Sequence, residues 1–240
     1  MAFGSDRKYM TPAQAEAAQI DVGLRQYMLR VYNYMASGVA LTGIVSLLVS
    51  MNAPAMQLLF GTPLKWVIML APIGVVLFLS ARLNHIRAST AQGLFWLYAG
   101  MIGLSLASIF MVYTGVSITR TFFITAGAFA GLSLYGYTTK RDLSGFGSFL
   151  VMGLIGLLIA SVVNIFLASS MMHFVISAAG VLIFAGLTAY DTQTIKQMYY
   201  ENASEEDGTK IAVLGALNLY MDFINLFMFL LQFLGVRRDD

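Results

Sequence analysis

The sequence predicts an all-α integral membrane protein with seven transmembrane helices, on three observations. Charged residues are only 11% of the chain, against about 25% in ordinary globular proteins, too few to cover a water-facing surface. Mean hydropathy is +0.75. The apolar residues fall into runs separated by short polar breaks, each run near the roughly 20 residues that cross about 30 Å of hydrocarbon.

The chain divides into a polar N-terminal segment (1–32), a seven-helix transmembrane domain (33–236) and a short tail (237–240). In the first segment Thr11 followed by Pro12 reads as a helix cap and first helical residue. Ile20, Leu24, Met28 and Val31 then recur at helical spacing. The segment is expected either to lie along the cytoplasmic membrane surface before the first span or to be a disordered tail. Asp6, Arg7 and Lys8 are not followed at once by an apolar stretch, so the pattern is not that of a cleavable signal peptide.

The apolar runs cover 34–51, 65–81, 93–113, 121–138, 146–168, 171–190 and 211–235. Residues 146–190 are twice the length of one span and must hairpin, with Ser169 and Ser170 as the turn. Orientation follows from Lys and Arg, which gather on the cytoplasmic side. An N-terminus inside places ten of the 14 on that side and leaves Lys65, Arg120, Arg237 and Arg238 opposite. The short loops point to a bacterial inner membrane. Gly127, Gly131, Gly153, Gly156, Gly180 and Gly186 are expected to let helix backbones approach closely in lipid. No internal repeat supports an inverted-repeat transporter.

Several functional classes are excluded. The chain has no cysteine, hence no disulfide, thiolate metal site or cysteine nucleophile. His85 and His173 lack metal-ligand spacing. Net charge is +2, without a basic run, so nucleic acid is not a partner. No Gly-rich phosphate loop with its lysine is present, and 211–235 has no lysine for a retinal Schiff base. An enzyme and a bound cofactor are not expected.

One ionisable side chain stands at mid-membrane: Asp222. An aspartate there costs about 2.5–3.5 kcal/mol on insertion scales, so it faces the bundle interior, finds a partner or carries a proton. Gly215, Asn218, Asp222, Asn225 and Gln232 form a polar stripe down one side of an oily helix, which puts the seventh helix at the centre. Asp191 ends the sixth run and Arg82 ends the second. In the N-inside orientation all three polar groups belong to the cytoplasmic half. Two readings stand for Asp191: a solvated span-end carboxylate, or a partner for Asp222. Two likewise stand for Arg82: a positive-inside anchor, or a latch competing with a cation for the acids. A close pair of carboxylates cannot ionise freely and, with both protons gone, offers hard oxygens to a cation. An intramembrane aspartyl protease would need a bend before its second aspartate, whereas Leu219, Tyr220 and Met221 continue a helix.

The string Ala216-Leu217-Asn218-Leu219-Tyr220-Met221-Asp222-Phe223-Ile224-Asn225-Leu226-Phe227 closely resembles the last-helix signature of the Bax-inhibitor (transmembrane Bax inhibitor motif) family. Leu230-Leu231-Gln232-Phe233-Leu234-Gly235 follows it as in the family. Tyr190-Asp191-Thr192-Gln193 resembles the sixth-helix motif, and Lys140-Arg141-Asp142-Leu143, Ser148-Phe149 and Asn164-Ile165-Phe166 match the fourth loop and fifth helix. The resemblance, to a bacterial member, implies six helices around a central seventh. It implies a pH-sensitive calcium leak through the membrane, gated by protonation of Asp191 with Asp222. Those two would contact calcium as the transported ion and Arg82 would be a latch, with Asn218 and Asn225, read from their spacing, as the supporting polar stripe. It also leaves open a second role, as a binding partner that regulates a membrane-anchored ATP-dependent protease.

Overall fold

The computed structural model describes residues 12–200 and 204–238. The Thr11 cap lies outside them. Helix α1 (Pro12–Ser50) begins at the expected proline and runs without a break into the first span. The surface segment expected to end near residue 32 is therefore not a separate element. Its alanines and long polar side chains are good helix formers, and nothing between them and the span interrupts the backbone ladder.

Asn52 then caps the short α2 (Ala53–Phe60), its side chain accepting from the Ala55 amide, with Pro54 in the first turn. The second span is α3 (Leu64–Arg82). The third is α4 (Ala88–Leu106), continued after a break by the single turn α5 (Ile109–Val112). The fourth and fifth are α6 (Gly115–Thr138) and α7 (Ser144–Leu167). The sixth and seventh are α8 (Ser170–Gln197) and α9 (Glu205–Leu234). Among the described residues, seven helices are long and apolar enough to cross a membrane.

The predicted hairpin falls where expected. Ala168 adopts a left-handed conformation (φ 47°) at the end of α7, Asn164 accepts from the Ser169 amide, and Ser169 caps α8. At α9, Ser204 accepts from the Asp207 amide, and Glu205, Glu206 and Asp207 place negative charge at the positive end of the helix dipole.

Helix α9 is central. In its most apolar stretch 61% of residues are buried, against 11 to 33% in the other spans. It packs directly on α8, α1, α6 and α4, while α3 packs chiefly on α4 and α7 chiefly on α8. Its far end is clipped to the turn between the third and fourth spans. There Thr114 N donates to Val236 O at 3.1 Å, Arg238 N to Val112 O at 3.0 Å, and Val236 N to Ser117 Oγ at 2.9 Å. The seventh helix thus crosses completely rather than dipping and returning, and the outer faces of the bundle are large exposed apolar side chains.

The glycine expectation holds for three of the six: Gly153, Gly180 and Gly186 pack closely on Ile183, Phe229 and Leu150. Gly127, Gly131 and Gly156 face open space and pack on nothing. Close approach to a neighbouring backbone is found instead at Gly136, where α6 presses against the Ala189 carbonyl of α8 and a methyl group would not fit, and at Gly103, beside the Thr42 carbonyl of α1. Periodicity of small residues does not say which face of a helix they occupy.

Candidate functional site

Asp222 lies midway along the apolar part of α9 and is 4% exposed. Asp191 lies on α8, half-buried, and the two carboxyl groups are within hydrogen-bonding reach of each other. Sequence alone leaves a depth gap between them, because Asp191 sits near the end of an apolar run and Asp222 at the middle of one. The antiparallel register of α8 and α9 closes it. Ile195 lies over Gly215, Asp191 faces Asp222, the Phe229 ring lies over Gly180, and Ser177 meets Gln232 at 3.4 Å. Since α8 ends at Gln197 and α9 begins at Glu205, the first turns of α9 project past the end of α8. Asp191 is thereby carried level with the centre of α9.

The surroundings offer the pair little polar relief. Thr188, Thr192 and Thr194 on α8 each donate to a carbonyl four residues earlier in the same helix. Asn225 donates its amide to Met221 O, within α9. Asn218 is half-buried and forms no side-chain hydrogen bond among the described residues. The polar stripe does face α8, but it does not donate to the acids as a supporting shell would. One Asp222 oxygen, Oδ2, has no hydrogen-bond partner among the described residues.

Arg82 is not a latch in this conformation. It ends α3 and is exposed, and among the described residues it forms no salt bridge with either aspartate. The reason is placement: α3 packs on α4, and Arg82 ends a span while Asp222 lies half-way through its own. Nor do the acids belong to a larger ligand cluster. Among the described residues no group of three or more His, Cys, Asp or Glu side chains could hold a metal ion. Two carboxylates supply at most four oxygens, against the six to eight that calcium takes, so they fit a passing cation better than a resident one.

The family described as "Inhibitor of apoptosis-promoting Bax1" matches residues 24–239. The chain belongs to the Bax inhibitor family. Its bacterial relatives match over nearly their whole length. An uncharacterised protein of Rickettsia prowazekii is 50% identical, over 91% of this chain and 93% of its own. A protein of Caulobacter vibrioides is 46% identical over 95% of each. The inner membrane protein YbhL of Escherichia coli is 44% identical over 95% of this chain and 98% of its own.

Three further polar contacts of this Bax inhibitor family chain escape a reading of the sequence. Tyr220 is fully buried on α9, and its hydroxyl lies 2.6 Å from Thr42 Oγ1, which donates to the Ala99 carbonyl of α4 at 2.8 Å. Thr42 has one proton, so Tyr220 is the donor. On another side, Thr192 donates to Thr188 O, which makes Ser133 the donor to Thr192 at 3.0 Å and Tyr32 the donor to Ser133 at 2.6 Å. Gln193, next but one to Asp191, accepts from Leu143 N and donates to Arg141 O, both at 2.8 Å. It sews the α6–α7 loop to the acid-bearing turn. For Tyr220, Thr42 and Ser133 the only sequence signal was a polar side chain inside an apolar run, which such residues supply too often to single out.

Proposed function

We propose that this protein is a pH-sensitive cation leak of the cell inner membrane, with calcium as the transported ion. The gate is the proton held between Asp191 and Asp222. One observation carries the reading: two carboxyl groups meet at mid-span with no basic side chain paired to either among the described residues. Two bare negative charges so placed would repel in a medium that cannot solvate them. The pair therefore keeps a proton, and an O–H···O bond ties α8 to α9. Loss of that proton removes the tie and uncovers hard oxygen ligands, so the ion path and the helix contact respond to one titration. The distribution of Lys and Arg supports an N-terminus on the cytoplasmic side. The name of YbhL, an inner membrane protein, supports the location.

Calcium flux in proteoliposomes across pH tests the proposal, with wild type beside Asp222→Asn and Asp191→Asn. Wild-type flux is expected to change with pH and each variant to give a flat profile at unchanged monodispersity. Variants that keep the wild-type profile would overturn it.

A further inference from the structure

Two cavities lie along a single seam of the bundle, between α1 and α6. The larger, about 600 Å³, is lined from Arg25 to Ala36 on α1 and from Phe129 to Tyr137 on α6. The smaller, about 370 Å³, touches both helices in the other half of the membrane but is lined by α5 and α9 as well, and it has no charged residue in its lining. The two differ in chemistry at the mouth.

In the larger groove Arg25 is exposed near the start of the first span, and Tyr137 sits beside the end of α6. Inward from these the floor is apolar and closed, with Met28 3%, Met35 6% and Phe129 6% exposed. Ala36 and Ala130 line the inner end. The hydroxyls on the floor are satisfied by each other, Tyr32 donating to Ser133 and Ser133 to Thr192. Water would find few free partners there. From Arg25 to Ala36 is about 16 Å of helical rise, close to half of the roughly 30 Å hydrocarbon thickness. The groove is thus one leaflet deep, charged at the interface and oily below.

We infer that this groove binds one acyl chain of an anionic phospholipid, with the phosphate at Arg25. The form suits an acyl chain: the groove runs one leaflet deep from a charged mouth over an apolar floor. The charge selects the headgroup, since guanidinium pairs with phosphate through charge-assisted hydrogen bonds. It also selects the half of the seam, because the second cavity offers no such group. This inference stands apart from the cation leak and requires nothing of the two aspartates.

The test places the full chain in phosphatidylcholine vesicles doped with a photoactivatable acyl-chain lipid, either phosphatidylglycerol or phosphatidylcholine. Labelled residues are mapped by mass spectrometry. Labelling at the groove is expected to favour the anionic probe about fivefold, the size of one basic residue's attraction to an anionic headgroup. Arg25→Gln should make the two probes equal. Ala130→Trp should abolish groove labelling, and because Ala130 is exposed the indole fills the groove without entering the core. Leu158→Trp, on an exposed face of α7, should change nothing. Headgroup-indifferent labelling of the wild type, or groove labelling that survives Ala130→Trp, would overturn the inference. So would disulfide-linked dimers of Ala36→Cys, formed in an otherwise cysteine-free chain, since they would place a second copy in the groove.

Discussion

The hydroxyl of Tyr220 donates to Thr42, whose own proton goes to Ala99, and that order makes the two partners unequal. Tyr220→Phe removes a donor and leaves Thr42 still bonded to the carbonyl, at a cost of about 1 kcal/mol. Thr42→Val leaves a fully buried tyrosine hydroxyl with nothing to donate to, which costs about 2 kcal/mol. Thermal unfolding in detergent is expected to show the larger drop in Tm for Thr42→Val; equal drops would contradict the assigned donor. Legibility at this scale followed cost. Asp222 was visible in the sequence because an acid inside an apolar run is expensive wherever its side chain points. Tyr220, Thr42 and Ser133 were not, since each is tolerated in membrane helices and only the fold shows whether it is buried. The half-buried Asn218 and Asn225 were visible as part of the stripe, but their hydrogen bonding was not. Sharing a stripe with Asp222 does not make Asn225 its donor when Met221 O lies one turn back.

Helix contacts depend on which face a small residue occupies, and α6 carries both cases. Gly136 abuts the Ala189 carbonyl, whereas Gly127 faces open space. Gly136→Ala should force α6 and α8 apart and destabilise by about 2 kcal/mol. Gly127→Ala should be neutral or stabilise by up to about 1 kcal/mol through helix propensity. Comparing the two Tm values checks this, and a silent Gly136→Ala would show that the close approach does not hold the helices. The breaks between elements were readable because turn chemistry is local: Asn52, Ser169 and Ser204 each cap the helix that follows. The continuity of α1 was not, since a change from polar to apolar residues looks like a boundary while the backbone ladder is indifferent to it.

Across the whole molecule, the number of crossings and the central place of α9 were legible from run length and from the polar stripe. The vertical offset between α8 and α9 was not, because hydropathy locates each helix in the membrane only to within a turn or two. That offset gives the acidic pair a duty unrelated to ion traffic. Two smooth oily rods can slide past each other with little change in contact. A slip of one turn, about 5.4 Å, would part Asp191 from Asp222 and maroon two separate acids in hydrocarbon, each costing about 2.5–3.5 kcal/mol. The pair is therefore an index mark that admits one alignment of the rods, as a lone buried asparagine does in a coiled coil. Cysteines at Ser177 and Gln232 should cross-link in the parent chain, while Ser177 paired with Met228, one turn off, should not. Replacing both acids by leucine should let the second cross-link form beside the first.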